Sequence, residues 1–305
     1  MSRAVSFSAY GSPDVLRPSE VTPPEPGPGQ VRIRVRAASV NPFDIKLRSG
    51  LMAAGAPARF PVVPGLDAAG VVDAVGEGAR AAVGDGVLGA TPGGGYAEYA
   101  LLDRPVAKPD GLSWELAASL VTVGRTAARV LDELGVQAGG TLLVHGAGGS
   151  VGTLAVQLAA ARGVTVVGTA AERDLERVTS YGATAVRYGD GWAERVRDAA
   201  PQGVDHVLDA SGAGVLAESV ALTGDAARVL TIADMSAAQH GVRFSAGGPA
   251  ASGAAAPDPL PELVRSAAAG ALDLPVGRTY PLEQASAAHA DLEARRSRGK
   301  VVLLP

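Results

Sequence analysis

The chain has 305 residues, of which 47% are hydrophobic and 19% charged, enough apolar material for two domains and too much for a disordered chain. Its net charge of −4 gives no basic footprint for nucleic acid or an anionic membrane. It has no cysteine, which excludes disulfides, thiolate zinc sites and a cysteine nucleophile, and fits the reducing cytoplasm. The opening MSRAVSFSAYGSPDVL lacks the apolar stretch of a signal peptide, and no run approaches the ~18 apolar residues of a membrane span.

The first hundred residues read as short strands broken by Gly/Pro turns. In VRIRVRAASV (31–40), Val31, Ile33 and Val35 alternate with Arg32, Arg34 and Arg36, which predicts a strand with one buried and one solvated face. AAGVVDAVGEG and GDGVLGA continue the pattern, and together these strands suggest a small antiparallel barrel. From about residue 115 the texture changes. WELAASLVTVGRTAARVLDELG predicts a helix with Leu116, Leu120, Val123, Ala127, Val130 and Leu134 on one face, stopped by Gly135. Apolar runs then alternate with helical segments: TLLVH (141–145) before SVGTLAVQLAAARG, and VTVVG (164–168) before ERDLERVTSYG. DHVLDA (205–210), ARVLTIA (227–233) and GVRFS (241–245) complete the set. Runs that are apolar throughout suit a parallel sheet covered by helices on both faces. SAGGPAASGAAAPDP (245–259) reads as a loop or linker, and the last stretch as two helices and a closing strand, KVVLL, returning to the first domain.

The chemistry centres on HGAGGSVG (145–152), which fits two motifs. Gly146, Gly149 and Gly152 have the spacing of a dinucleotide-binding loop. Gly148 to Gly152 also fits G-x-S-x-G, the turn that exposes a hydrolase's serine. An elbow serine sits directly after its strand, whereas Ser150 is five residues beyond His145. The dinucleotide reading is therefore preferred. Gly146 permits the turn, Gly149 lets a diphosphate approach the backbone, and Gly152 lets the helix pack closely. The amides around Ser150 and Val151 meet the ligand at the positive end of the helix dipole. About 20 residues on, where NAD enzymes place an acid for the ribose hydroxyls, the second strand ends Gly168-Thr169-Ala170-Ala171. Small neutral residues there, with Arg173 just beyond, leave room for a 2′-phosphate and favour NADPH. Glu172 tempers that preference.

Taken together, ASVNPFDIKLRSG, FPVVPGLDAAGVVDAVGEG, VGDGVLG, VHGAGGSVG, DHVLDASG and AHADLEARRSRGKVVLLP resemble the zinc-independent quinone oxidoreductases of the medium-chain dehydrogenase/reductase superfamily, nearly end to end. The resemblance implies an α/β fold, a Rossmann doubly wound parallel sheet (119–245) inserted in a GroES-like β-barrel domain (1–118 and 246–305). It also implies a homodimer paired through the edges of the Rossmann sheets. Asn41, Asp44 and Lys46 fall on the family's substrate-side motif and are the catalytic candidates, with Asn41 or Lys46 as the donor to a developing oxyanion. Thr126 falls near the nicotinamide end, and Thr169, Arg173, Tyr188 and Arg295 around the adenine ribose phosphate. Zinc-dependent cousins place metal ligands where this chain has Asn41 and Leu66, so no metal is expected. Leu51-Met52 stands where many quinone reductases show a tyrosine. Arg125 replaces a usually apolar residue, as a cleft cation or as a snorkelling helix residue.

The expected activity is NADPH-dependent hydride transfer to a small-molecule quinone or α,β-unsaturated carbonyl. An NADPH-binding structural or regulatory protein with little turnover stays open, and a serine hydrolase is the lesser alternative.

Overall fold

The chain divides into two units, Met1–Thr122 with Leu260–Pro305 and Val123–Pro259, and each has a hydrophobic core among the described residues. The structure, a computed structural model, describes residues 1–55, 57–247 and 257–305, so most of the expected linker at 245–259 lies outside the described residues.

In the first unit, β1 (Ser2–Ser6) pairs antiparallel with β2 (Arg17–Val21). β3 (Val31–Val40) runs into α1 (Pro42–Ser49), followed by β4 (Asp67–Val75), β5 (Gly86–Ala90), β6 (Tyr99–Leu102) and β7 (Val106–Ala107). The long strand β3 organises this unit. Val31, Ile33 and Val35 are buried, while Arg32 turns outward to Asp73 and Glu25 and lies over the Tyr99 ring, as the alternation predicts. The helix α2 (Trp114–Leu134) contains the division of the chain. Leu120, Val123, Ala127, Val130 and Leu134 of its predicted face are buried, Leu116 is half-buried, and Gly135 ends it with φ +66°.

The second unit is a parallel sheet. Its elements are β8 (Thr141–His145), α3 (Ser150–Ala161), β9 (Thr165–Ala170), α4 (Leu175–Ser180), β10 (Ala183–Arg187), α5 (Trp192–Ala199), β11 (His206–Asp209), α6 (Leu216–Thr223), β12 (Val229–Thr231) and β13 (Arg243–Phe244). The strand order β10-β9-β8-β11-β12-β13 reverses direction between β8 and β11, the crevice where open α/β sheets bind ligands. Sequence patterning did not reveal β10 or α5. ATAVR is built mostly of small residues at a sheet edge, and its burial comes from pairing with β9.

The chain re-enters the first unit with α7 (Leu260–Ala268), β14 (Val276–Pro281), α8 (Ala285–Glu293) and β15 (Lys300–Leu304). The closing strand β15 pairs with β3, and β14 lies parallel beside it, giving a seven-stranded sheet. The polar VGRTYP of β14 carries no strand signal in its own pattern. Among the described residues, no helix is long and apolar enough to cross a membrane.

Candidate active site

The apolar strand β8 ends beside the reversal in strand order, and the glycine loop follows at once. Gly146 has φ +76°, a conformation that L side chains rarely adopt. Gly149 donates to the Gly146 carbonyl (2.9 Å), and the Ala147 amide to that of Thr169 (3.0 Å), which ties the turn to β9. A Cβ on Gly152 would lie 2.2 Å from the Gly146 oxygen and 2.8 Å from the Ala147 Cα, so only glycine lets α3 sit against the turn. Gly149 is the N-cap of α3, and Ser150 is its first helical residue. With φ −81° Gly149 needs no special conformation; its missing side chain leaves the helix without a side-chain cap. The amides of Ser150, Val151 and Gly152 thus head a twelve-residue helix with the dipole behind them. Arg177 braces the outer side of the loop, donating to the Gly148 carbonyl and to Asp174 (both 3.0 Å).

His145 is structural. Ser219 Oγ donates its only hydrogen to the Val215 carbonyl (2.7 Å), so it must accept from His145 Nε2 (3.1 Å), and Nδ1 then accepts from Thr169 Oγ1 (3.1 Å). Burial pushes His145 down to about 4, opposed by Asp209, and Trp192 packs its ring edge-on. Thr169 is one of the residues expected to contact the cofactor. Its side chain is buried and engaged by His145. These bonds leave Ser150 without this imidazole as a base, and Asp209 is engaged by Ser211, Gly212 and Thr231. Ser150 makes no side-chain hydrogen bond to a histidine among the described residues.

At the end of β9, Ala171, Glu172, Arg173, Arg187 and Tyr188 line one open depression of about 340 Å³. Arg173 and Tyr188 therefore line the same depression, joined by Arg187, which sequence reasoning missed along with its strand. Thr126 is half-buried on α2. Arg125 does not offer a free charge. Its guanidinium is held by both carboxylate oxygens of Asp258, at 3.0 and 2.6 Å. Arg295, in the first unit, follows α8 with φ +52°, a left-handed helix-end position usually taken by glycine.

The substrate-side motif of the first unit opens a buried polar network. Asn41 caps α1, and Asp44 returns a carboxylate oxygen to the Asn41 amide (2.8 Å). Asp44 also accepts from Gly65 N (3.2 Å) and the Tyr96 hydroxyl (3.3 Å). Burial raises it to about 7, opposed by the Asn41 amide. The Asn41 side chain is engaged at both ends: Nδ2 donates to Asp67 (2.9 Å) and, at longer range, to Ser39 Oγ (3.4 Å), and Oδ1 accepts from the Lys300 ammonium (2.7 Å). Lys300 also donates to the Val40 carbonyl (3.1 Å), and Asp67 accepts from Thr122 (2.6 Å) and Ser39 (2.9 Å). Burial pushes the Lys300 ammonium pKa down, against the pull of Asp67 and Asp44. Beyond Tyr96 lies His289, 3.0 Å away and pushed down to about 3 by burial and by Arg48. Asn41 and Asp44 are thus both buried and both engaged by partners within the first unit. Lys46 is half-buried, and its ammonium has no partner among the described residues. Sequence reasoning passed over Asp67, Thr122 and Lys300. The local signal of Asp67 and Lys300 is a charge set in an apolar run, in GLDAAGVV and KVVLL; Thr122 in SLVTVG carries none.

Comparisons with known proteins cover both units. Residues 27–110 match the alcohol dehydrogenase GroES-like domain, and residues 175–303 a domain described as zinc-binding dehydrogenase. A quinone oxidoreductase of Pseudomonas aeruginosa is 33% identical over the full length of both chains. The Escherichia coli quinone oxidoreductase solved with NADPH superposes with a TM-score of 0.85 at 25% identity, covering 99% of this chain and 100% of that one. An NAD-dependent alcohol dehydrogenase superposes with a TM-score of 0.84 at 32% identity, covering 99% of each chain. A zinc ion does not suit the donors present. There is no cysteine, no cluster of three or more metal-ligating side chains occurs among the described residues, and the Lys300 ammonium already sits on Asn41. On sequence, domain composition and fold, the chain belongs to the quinone oxidoreductase family of the medium-chain dehydrogenase/reductase superfamily.

Proposed function

We propose that the chain is an NADPH-dependent reductase that passes hydride to a quinone or an α,β-unsaturated carbonyl without zinc. The observation that carries this reading is the uncapped N-terminus of α3, pressed against the Gly146 turn at the sheet's reversal point. Three amides there meet a diphosphate with the helix dipole behind them. The neutral end of β9, with guanidiniums beside it, supports a phosphorylated ribose. When bound, the reduced nicotinamide supplies the hydride, and the protein's part is to hold, orient and exclude water. Lys46, a cation of the substrate-side helix with no partner among the described residues, is the donor for oxygen charge that develops as the acceptor is reduced. Asn41 and Asp44 hold the start of that helix in place. The proton comes from solvent. A homodimer formed through sheet edges belongs to the same reading, and the short edge strand β13 offers such an edge.

The test is an NADPH-oxidation screen on the purified protein with ortho- and para-quinones, short enones and enoyl thioesters. Turnover of quinones or enones is expected, unchanged by a metal chelator. Turnover of enoyl thioesters alone would remove the quinone assignment. Tight NADPH binding with no oxidation of any acceptor would favour a binding protein.

A further inference from the structure

The depression at the end of β9 holds an arginine whose position only strand pairing reveals. We propose that Arg187 is the residue that selects the 2′-phosphate of the cofactor, acting with Arg173 in the same depression. The proposal rests on the NADPH reading and names the group that makes the choice between NADPH and NADH.

In the parallel pairing of β10 with β9, Arg187 is the register partner of Ala170. Ala170 is the last residue of β9, where an acid would hold unmodified ribose hydroxyls. The next residue, Tyr188, donates its amide to the Ala170 carbonyl (3.0 Å), so the end of β10 is locked against the end of β9. The turn beyond is fixed as well. Arg195 of α5 donates to the Arg187 carbonyl (3.0 and 2.8 Å), to that of Gly189 (3.1 Å) and to that of Asp190 (3.0 Å). The Arg187 side chain thus starts from a backbone that is rigid before any ligand arrives, which reduces the entropy lost on binding.

The charges point the same way. Arg187 is exposed, and its guanidinium has no partner among the described residues. Arg173 is only loosely paired, with Nε 3.7 Å from Asp174, a carboxylate that Arg177 already holds at 3.0 Å. The depression therefore presents two guanidiniums against the single carboxylate of Glu172. A phosphomonoester carries about −1.5 to −2 charges at pH 7, and guanidinium forks match its oxygens. A bare ribose offers no charge to neutralise, so the same pair gives it little.

The experiment compares wild type, R187A and E172Q for binding of 2′,5′-ADP and 5′-AMP, and of NADPH and NADH, by calorimetry. R187A is expected to weaken 2′,5′-ADP and NADPH by roughly tenfold or more, the worth of one charged hydrogen bond, with 5′-AMP and NADH unchanged. E172Q is expected to tighten 2′,5′-ADP and leave 5′-AMP alone. If wild type prefers NADPH but R187A binds 2′,5′-ADP as wild type does, or weakens both probes equally, the inference is overturned and the NADPH reading stands. If wild type itself prefers NADH, the NADPH reading fails first. Thermal unfolding of R187A, expected at the wild-type midpoint, separates lost selectivity from a damaged fold.

Discussion

Lys300 shows how much one side chain can hold. Its ammonium is buried, bonded to the Asn41 amide oxygen and the Val40 carbonyl, in the field of Asp67 and Asp44. Removing one partner of a buried charge network leaves the others uncompensated, at a cost of about 3–5 kcal/mol. Lys300→Met, close in length and without charge, is therefore expected to lower the urea midpoint by an amount in that range, with the m-value unchanged. A variant as stable as wild type would show that the network does not depend on the ammonium. Asn41 was legible in the sequence as part of a motif, but its role was not. An asparagine before proline looks the same whether its amide faces a ligand or, as here, a lysine 259 positions away.

Among the elements, the β8–turn–α3 unit was the most legible, because all that defines it is local: an apolar strand, glycines at fixed intervals and an amphipathic helix. The structure refines which glycine does what. Gly146 supplies the left-handed turn and Gly152 the close approach, whereas Gly149 matters for the cap it does not provide. Gly152→Ala places a Cβ 2.2 Å from the Gly146 carbonyl oxygen, a contact relieved only by moving the helix end off the turn. We expect this variant to fold with a lowered melting temperature and to lose NADPH affinity by an order of magnitude or more, since the displaced amides no longer converge. Calorimetric titration beside a melting curve checks both effects, and unchanged affinity would remove the diphosphate from this loop. β10 was the least legible element. Its small residues carry weak periodicity, and with the strand unseen, Arg187 was invisible as a ligand.

At the scale of the whole molecule, the buried titratable groups set a pH window. His145 and His289 are held neutral down to about 4 and about 3, and His206 is shifted the same way, all chiefly by burial. An unfolded histidine takes a proton near 6.5, so as pH falls from there toward 4 the unfolded chain binds protons that the fold refuses, and stability drops. Asp44 works against this. Raised to about 7, it binds its proton in the fold well before the unfolded carboxylate does near 3.9, and so favours the fold as pH falls through the same window. At least two protons oppose one, leaving a net loss on the order of 1.4 kcal/mol per pH unit from these groups. Urea unfolding at pH 6.5 and 4.5 is expected to show this loss, and His289→Gln to shrink it; an enlarged loss in that variant would contradict the assignment. Sequence by itself determined the alternation of strand types, the dinucleotide turn and the α/β architecture with a returning C-terminal strand, because backbone conformation and local amphipathicity are written in neighbouring residues. Only the tertiary structure decided that Asn41 faces Lys300, that Thr169 serves His145, and that Arg187 stands beside Ala170. Hydrogen bonds and strand register join residues far apart in the chain, and the local pattern around each does not encode its partner.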